Sequence, residues 1–493
     1  MSRTSDTRAD RRPSRRTLLA GATAIGAAAV ATPLAVHASR AGGEGRPQAA
    51  VTPSPATRRG ARPRSDDRPN ILFVLTDDQP KETDWALRRT LGWLGRDGVT
   101  FARAHANTPL CAPSRASIMS GRYAHHHGVL DTRHPYHLDQ RTTVQRRLRE
   151  AGYRTGLFGK YLNFWHPADN PPHFDEWLLQ EPVAYDNGHY NDGGTVRTIP
   201  GYNTTVIKNR ALAFIERSRT DSRPWFAYVA TRAAHEVNIP EKRYAYTRVP
   251  EWQGRASVFE TDRSDKPPYL REAAHSFAEG RALRERQLRT LLSVDDAMGD
   301  FHDKLRELGQ LENTLVLFTS DHGLCWGDHG WLRKSVPYRP SLEVPFLMSW
   351  PAGGPAGGAT DDRLTCHVDI APTFLAAAGV TPDTPHDGHS LLDARNDRDH
   401  LLAEWWWNRQ DKVPVHNWAS YIGKTEQYTE YYRGRLGPDG RPRGSGEVVF
   451  REYYDLRADP YQLTNLLHGV SPAVERRLGV RELARGLAAA RSG

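Results

Sequence analysis

Two pairs of side chains suited to metal binding each follow an apolar run of the sequence. Asp77 and Asp78 directly follow one such run, and Asp321 and His322 directly follow another. In open α/β sheets ligands bind beyond the carboxyl ends of the strands, so these two pairs can meet in space. Three carboxylates at such short distances would repel one another, and a bound cation relieves this repulsion. Oxygen ligands favour Ca²⁺ or Mg²⁺, and the histidine also allows Mn²⁺. An Asp after a strand can instead cap the next helix, so both interpretations stay open at this point.

A cysteine, Cys111, opens the run Cys-Ala-Pro-Ser-Arg. Pro113 suits the first position of a helix, and a helix from Ser114 would end at Gly121. Cys111 would then lie at the positive N-terminus of that helix, with Arg115 one turn further on. Such a position favours a bound anion and an ionised thiol. The alternative is an ordinary buried cysteine, which is usual for a lone free thiol.

The elements that must position these residues alternate along the chain. Continuous apolar runs, typical of strands covered on both faces, occur at 70–76, 225–230, 315–319 and 344–350. Helical periodicity occurs between them at 144–151, 205–217 and 282–308. This alternation predicts a layered α/β domain with a mostly parallel sheet. After about residue 395, short aromatic strands between Gly and Pro turns predict a smaller antiparallel sheet with a closing helix near 472–490.

The net charge of the chain is concentrated at its N-terminal end. The chain has 493 residues, of which 38% are hydrophobic and 25% charged, a globular composition. Its 3 cysteines cannot form a disulfide scaffold. Residues 1–69 contain 13 Arg against 5 acidic residues, which accounts for most of the formal net charge of +9. The remainder is nearly neutral, so its charge gives no reason to expect nucleic acid as a partner.

The basic N-terminal segment has the pattern of an export signal. Arg15-Arg16 precedes a weakly apolar run that ends in Val36-His37-Ala38. This predicts a twin-arginine signal peptide over 1–38 and a secreted or cell-envelope protein. A transmembrane anchor is the alternative, but Gly, Ala and Thr dilute the run, so we expect no stable membrane insertion. Residues 39–68 are rich in Gly, Pro, Ala, Ser and Arg and predict a disordered linker. The catalytic domain is then expected over 69–395, and a C-terminal α+β subdomain over 396–493.

The Cys-Ala-Pro-Ser-Arg run, followed by Ser-Gly-Arg at 120–122, resembles the signature of the type I sulfatases of the alkaline-phosphatase-like superfamily. The likeness covers most of residues 69–467. Further segments that resemble the family occur in its order, one before this run at 76–79 and the others after it at 159–163, 234–235, 320–334, 369–373 and 454–466. The Gly-Lys-Tyr-Leu-Asn segment at 159–163 is similar to that of N-acetylglucosamine-6-sulfatases. The resemblance implies a large mixed, mostly parallel sheet sandwiched by helices.

The resemblance also implies how the nucleophile and the cation are held. In this family the motif cysteine, here Cys111, is oxidised to formylglycine (3-oxoalanine) by a formylglycine-generating enzyme, an expected partner during maturation. One divalent cation would be held by Asp77, Asp78, Asp321 and His322, with the modified Cys111 completing the site. The family favours Ca²⁺, with Mn²⁺ or Mg²⁺ as alternatives, and no organic cofactor is expected.

Further residues are implied around the sulfate. Arg115 would hold the formylglycine, while Lys160, His235 and Lys334 would bind the sulfate and help protonate the leaving oxygen. Family members often carry a second histidine where this chain has Leu162; the adjacent Asn163 is a candidate substrate contact but a poor general acid.

The expected function is hydrolysis of a sulfate monoester, of a sugar or another organic alcohol, to alcohol and inorganic sulfate. Many sulfatases carry Asp-Asn where this chain has Asp-His at 321–322, and Asp-His also occurs in choline-sulfatase-like and phosphonate-monoester-hydrolase-like relatives, some of which favour Mn²⁺. The alternative is therefore a phosphodiesterase or phosphonate monoester hydrolase with the same nucleophile. An inactive binder of sulfated glycans is a third possibility, which the complete set of catalytic residue types disfavours.

Three other features are open to more than one interpretation. The triplet His125–His127 is expected to form a surface turn rather than a metal site, because consecutive side chains do not converge on one ion. The triplet Trp405–Trp407 is expected to pack where the two subdomains join, with sugar stacking as the alternative. Cys325 and Cys366 would form a disulfide only if geometry allows it.

Overall fold

The computed structural model describes residues 67–181, 184–354, 357–408 and 415–492. The predicted signal peptide lies outside these residues, as does all of the predicted linker except its last two positions. Within the described ranges, no helix combines the length and apolar character that crossing a membrane requires. The proposed domain boundary at residue 395 stays a prediction.

Ten strands of the described chain form one large sheet. In chain order they are β1 (Asn70–Thr76), β2 (Val99–His105), β3 (Arg154–Gly159), β4 (Glu176–Gln180), β5 (His189–Asp192), β6 (Thr195–Thr198), β7 (Trp225–Ala230), β8 (Thr314–Ser320), β9 (Phe346–Ser349) and β10 (Ala359–Cys366). Across the sheet their order is β10-β2-β9-β8-β1-β7-β3-β4-β5-β6. The pairs from β8 through β4 are parallel, whereas β9 runs antiparallel to both β8 and β2. The expected large, mixed and mostly parallel sheet is confirmed.

The alternation of side chains along the central strand β1 separates two hydrophobic cores. Ile71, Phe73 and Leu75 face one core, and Leu72 and Val74 face the other. The first core is covered by helices Cys111–Ser120, Val144–Glu150 and Ile370–Ala377. The second is covered by helices Asn203–Glu216 and Phe277–Glu307. A strand buried on both faces reads as a continuous apolar run, which is why these strands were predictable.

A separate antiparallel sheet follows the large one. Its strands, in hydrogen-bonded order, are β11 (His400–Trp405), β12 (Asn417–Gly423), β13 (Glu426–Tyr432) and β16 (Val448–Asp455), while β14 (Arg435–Leu436) and β15 (Pro442–Arg443) form a small hairpin. The predicted closing helix is two helices, Pro472–Arg477 and Val480–Ala490. They are separated at Gly479, which has a φ of 68° and so ends the first helix. The remaining short helices are Arg88–Thr90, Ala124–His127, Pro268–Arg271 and Arg339–Leu342.

The small sheet packs against the α/β layers of the large sheet through an aromatic core. Trp405 and Trp418 lie in this core together with Trp331 and Tyr338. Trp405, the first residue of the tryptophan triplet, is therefore buried at the join, as expected. Its neighbour Trp406 packs against a separate small cluster around Leu436.

Gly280 gives a test of the packing around the long helix Phe277–Glu307. A Cβ at Gly280 would overlap the backbone carbonyl oxygen of Trp326, whereas a Cβ at Gly299 meets only the mobile end of the Arg89 side chain. Alanine is favoured over glycine in a helix by about 1 kcal/mol, but forcing backbone apart costs about 1–3 kcal/mol. We therefore expect Gly280→Ala to lower the midpoint of thermal unfolding. Gly299→Ala, in the same helix, should leave it unchanged or raise it. Equal shifts of the unfolding midpoint in the two variants would contradict the close contact between Gly280 and the Trp326 carbonyl.

Candidate active site

The two acidic pairs lie side by side at the carboxyl ends of β1 and β8. These strands are parallel neighbours, and Thr76 is paired with Ser320, so Asp77 and Asp321 follow at the same level of the sheet. The backbone N–H of Asp78 donates a hydrogen bond of 3.2 Å to Asp321 Oδ1. Asp77, Asp78, Asp321 and His322 are all buried. The two pairs therefore lie next to each other, as the sequence predicts.

The helix that carries the motif cysteine begins earlier than predicted. It spans Cys111–Ser120, so Cys111 is its first residue and Pro113 its third. Pro113 was expected at the first position; the third is equally compatible with proline, because N–H groups in the first turn have no partner within the helix. The helix ends at Gly121, with φ 66°, as expected for a left-handed C-terminal glycine.

The Cys111 sulfur lies at the centre of the cluster. Its Sγ is 3.4 Å from Asp77 Oδ1, 3.4 Å from His322 Nε2 and 3.2 Å from Lys334 Nζ. Burial and the charge of Asp77 raise the pKa of the Cys111 thiol, but Lys160, Lys334 and His322 outweigh them and hold it well below its usual value. The site therefore stabilises negative charge at this position.

The donor set fits a divalent cation. The ligand atoms of Asp77, Cys111, Asp321 and His322 lie within 4.8 Å of one another. A second group of four residues meets the same distance limit and adds Asp78 to Asp77 and Cys111. That second set also includes His235, which was not expected to be a ligand. Burial and the neighbouring charge of Asp77 raise the pKa of Asp321, so a nearby positive charge would favour its ionised form. Buried carboxylate oxygens with an imidazole suit Ca²⁺, Mg²⁺ or Mn²⁺.

Arg115 and Lys160 neutralise the carboxylates from the side of the motif helix. Arg115 Nε donates to Asp321 Oδ2 at 2.9 Å, and its Nη1 donates to the Lys160 carbonyl at 3.1 Å. Arg115 Nη2 is buried without a hydrogen-bond partner in the described structure, 3.5 Å from Asp77 Oδ2. Lys160 Nζ forms an ion pair with Asp77 Oδ2. A buried guanidinium N–H without a partner indicates room for one more acceptor.

Lys334 and His235 approach from the opposite, solvent-accessible side. Lys334 Nζ donates to Asp78 Oδ1 at 2.5 Å, and His235 Nε2 is 3.8 Å from Asp78 Oδ2. Burial lowers the pKa of each, but Asp78 outweighs it and raises both values, with help from Cys111. The Asp78 carboxylate therefore favours the protonated form of both side chains.

Not every predicted contact reaches the cluster. Asn163 is half-buried, its Oδ1 has no hydrogen-bond partner, and it hydrogen bonds with none of the site residues within the described ranges. Leu162 is buried in the first core and cannot supply a proton.

Two supporting residues were not found from the sequence. Ser114 Oγ hydrogen bonds to the Asp321 carbonyl at 2.5 Å and tethers the motif helix to the end of β8. Gln287 Nε2 donates to the carbonyls of Asp78 at 2.9 Å and Ala234 at 3.1 Å. Gln287 sits among apolar positions of the long helix, and a polar residue in such a stripe is the signal that identifies it.

The loop that carries Lys334 is supported by the small antiparallel sheet. Ser335 has a φ of 78°, a left-handed conformation unusual for a residue with a side chain. Its carbonyl accepts a hydrogen bond of 2.9 Å from Trp418 Nε1. Gln427 Nε2 donates to the Pro337 carbonyl, and Tyr338 donates through its hydroxyl to the buried Glu452 at 2.7 Å.

The two remaining sequence features have structural roles. His125 lies 2.9 Å from Glu404 and His126 lies 2.8 Å from Asp387, so the triplet does not converge on one ion. Cys325 and Cys366 are buried free thiols rather than a disulfide.

A cavity of about 730 Å³ opens beside the cluster. Asp78, His235 and Lys334 lie on its wall, together with Trp405. The cavity therefore connects the cationic donors to solvent and is large enough for a small organic ligand.

The large mixed, mostly parallel sheet with helices on both faces and a separate small antiparallel sheet is an alkaline-phosphatase-like fold. The family model described as "Sulfatase" matches residues 69–380. The chain belongs to the sulfatase family, whose members are sulfuric ester hydrolases.

Related proteins agree with this assignment. The chain is 32% identical to an extracellular sulfatase SULF-1 homolog of Drosophila melanogaster, over 69% of this chain and 32% of that protein. It is 25% identical to an N-acetylglucosamine-6-O-sulfatase of Bacteroides thetaiotaomicron, over 82% of this chain and 84% of that protein. It thus spans about a third of the Drosophila relative, and 49% of a Caenorhabditis elegans one. A solved structure in complex with its substrate D-glucosamine-2-N,6-O-disulfate has the same fold, with a TM-score of 0.73, 22% identity, and 85% and 97% of the two chains covered.

Proposed function

We propose that this protein hydrolyses a sulfate monoester of a sugar to the alcohol and inorganic sulfate. The observation that carries the proposal is the surroundings of Cys111 Sγ. A carboxylate oxygen, an imidazole nitrogen and a lysine ammonium all lie within 3.4 Å of this one sulfur. A position ringed by metal-type ligands and a cationic donor suits a nucleophile that attacks an anionic ester.

The nucleophile is proposed to be formylglycine made from Cys111. Its hydrate carries two hydroxyls on one carbon, so one can attack sulfur and deprotonation of the other can release sulfate. Arg115 is proposed to hold this residue, because its Nη2 is buried without a hydrogen-bond partner and lies 3.5 Å from Asp77, the carboxylate that also contacts Cys111.

Asp77, Asp78, Asp321 and His322 are proposed to hold one divalent cation, for which Ca²⁺ is expected. When bound, the cation offsets negative charge on the sulfate oxygens. Lys160 holds the Asp77 carboxylate in place and adds positive charge to the sulfate pocket. Asn163 is retained only as a candidate contact to the substrate.

Lys334 and His235 are proposed to stabilise and protonate the leaving oxygen. The Asp78 carboxylate favours the protonated form of both, and both line the cavity through which the alcohol would leave. Leu162 is buried and apolar, so no histidine at that position shares the task.

This role predicts a dependence on the leaving group. We expect Lys334→Ala and His235→Ala to lower kcat for sugar sulfates by ~10²-fold or more, the usual scale for a lost general acid. Activated aryl sulfates, whose leaving oxygen hardly needs a proton, should be affected much less. Steady-state kinetics on both substrate types measures this, with His275→Ala as a control that lines the same cavity but is paired with Glu279 rather than with Asp78. Equal losses on both substrate types would instead assign Lys334 and His235 to binding or folding.

A sugar is favoured as the alcohol by two observations. The cavity of about 730 Å³ is far larger than a sulfate group requires. The relatives that this chain covers over most of their length include N-acetylglucosamine-6-sulfatases. A phosphoryl or phosphonate ester is the second candidate, and the Asp321-His322 pair is the observation that favours it.

The deciding experiment is a release assay. Sugar sulfates, aryl sulfates, phosphodiesters and phosphonate monoesters are supplied at matched concentrations, and inorganic sulfate and phosphate are measured separately. A kcat/KM for sulfate esters that is well above the kcat/KM for phosphoryl esters supports the proposal. Faster hydrolysis of the phosphoryl esters would establish the second candidate instead.

Export by the twin-arginine route is proposed from residues 1–38. Relatives named as extracellular sulfatases are consistent with secretion. Replacing Arg15 and Arg16 by Lys should block export. Undiminished protein outside the cytoplasm would contradict this route.

A further inference from the structure

The cavity beside the candidate site carries positive charge that the proposed reaction does not use. Arg133, Arg286 and Arg333 line it, and in the described chain none of them forms an ion pair or a side-chain hydrogen bond with an acidic residue. All three are exposed at the cavity wall. Cationic guanidinium groups that converge on one cavity without acidic partners favour an anionic ligand.

A second cavity in the described part of the chain provides an internal comparison. It has a volume of about 410 Å³ and is also lined by basic side chains, Lys81, Arg255 and Arg339. There each cation has an acidic partner: Glu343 lies 3.6 Å from Lys81 and 2.5 Å from Arg339, and Asp328 lies 2.6 Å from Arg255. Unpaired arginines are therefore not a general property of this chain's cavities.

The backbone positions of two arginines place them close to the reacting centre. Arg333 directly precedes Lys334, which contacts both Asp78 and Cys111. Arg286 directly precedes Gln287, which donates to the Asp78 carbonyl. Both arginines also line the same cavity as Asp78, His235 and Lys334, so a ligand in this cavity can meet them while its sulfate ester occupies the site.

The third arginine is held by an aromatic side chain. The Arg133 guanidinium lies 5.4 Å from the centre of the Phe164 ring, a cation–π arrangement. Phe164 is 61% exposed and has a φ of 56°, in the left-handed region. This contact holds the Arg133 side chain in place without neutralising its charge.

The acidic residues of the lining do not cancel this charge. Asp78 is engaged by Lys334, and Glu279 caps the long helix through Ser276. Glu236 is exposed and forms no ion pair in the described part of the chain. Three unpaired cations thus face a single unpaired carboxylate.

We propose that Arg286 and Arg333, with Arg133 at the outer wall, bind a second anionic group of the substrate. The substrate would then be a sugar or short glycan that carries a sulfate or carboxylate besides the ester that is hydrolysed. This inference rests on the proposed sulfatase function and specifies its substrate class. The arginines select the substrate by a charge that does not itself react.

The test compares matched sugars that differ by one charge. N-acetylglucosamine 6-sulfate carries one anionic group, D-glucosamine-2-N,6-O-disulfate carries two, and a 6-sulfated disaccharide with a uronate supplies a carboxylate instead. The parent enzyme should show kcat/KM at least ~10-fold higher for a doubly charged sugar, which corresponds to about 1.4 kcal/mol. The two doubly charged sugars distinguish a sulfate from a carboxylate as the recognised group.

The variant Arg286→Gln/Arg333→Gln should reduce this preference to near unity, mainly through a higher KM for the doubly charged sugar. Arg281→Gln, an exposed position of the same helix outside the cavity lining, is the matched control and should keep the preference. If none of the sugars is hydrolysed but aryl sulfates are, inhibition constants for the same sugars against aryl sulfate replace kcat/KM.

The two hypotheses fail in different ways. No release of sulfate from any sugar or aryl sulfate would overturn the proposed function. Sulfate release without a preference for the second charge in the parent, or a preference that survives in the double variant, would overturn the anion-binding role of the arginines alone.

Discussion

Replacing Cys111 by Ser should give a folded protein that takes up sulfate from the ester at most once per chain, releasing one alcohol and retaining the sulfate on Ser. The hydroxyl of Ser is close in size to the thiol, and the site already places polar atoms of Asp77, His322 and Lys334 around it. A serine ester of sulfate, however, has no second hydroxyl to expel the sulfate, so turnover should stop after the first transfer. The expected loss is essentially complete for multiple turnovers.

Three measurements make this result decisive. Sulfate release under multiple-turnover conditions gives the activity, circular dichroism shows that the variant is folded, and the mass of the Cys111 peptide from the parent distinguishes aldehyde from thiol. Cys366→Ser is the matched control, because Cys366 is also a buried free thiol but lies against Arg398 and Asp369 instead. Multiple turnover by Cys111→Ser near the parent rate would exclude formylglycine as the nucleophile.

Removing the cation should have an effect of similar size. We expect one divalent cation per chain in the purified protein, and a loss of activity of ~10²-fold or more in excess chelator or in Asp321→Asn. The physical reason is that Asp77, Asp78 and Asp321 are buried together, and the charge on a bound sulfate adds to theirs. Elemental analysis and activity before and after re-addition of Ca²⁺, Mg²⁺ or Mn²⁺ measure this.

A second buried aspartate provides the control for this experiment. Asp328 is paired with Arg255 and Ser257 rather than with the candidate cation site. Asp328→Asn should therefore weaken folding but keep the cation, whereas Asp321→Asn should lose it. Full activity of a metal-free preparation would contradict the site. Mn²⁺ as the native ion would strengthen the phosphoryl ester alternative.

The large sheet was predictable where its strands are buried on both faces. The apolar runs at 70–76 and 225–230 are β1 and β7 with the same bounds. Strands β2 and β10 were missed because polar residues alternate with buried ones there, and β10 is exposed over its first half. Pairing with neighbours far along the chain, rather than local hydrophobicity, determines these strands.

In the candidate site, residues in short local motifs were predictable, whereas contacts between distant parts of the chain were not. The acidic pairs, Cys111 and Arg115 were identifiable because each belongs to a short motif. The contacts of Gln287 and Ser114 could not be predicted, since they depend on how a helix packs over the ends of strands distant in sequence. The roles assigned to the cationic side chains stay predictions that the kinetic experiments test.

The Trp418 hydrogen bond to the Ser335 carbonyl bears on how this protein can be divided. It joins residues 83 positions apart, one next to a catalytic candidate and one in the small sheet. A chain shortened at residue 395 would keep every candidate site residue but lose what supports the Lys334 loop. The small sheet is therefore not an exchangeable module: in a chimera with another sulfatase, the loop at 331–338 and strands β12, β13 and β16 have to be inherited together.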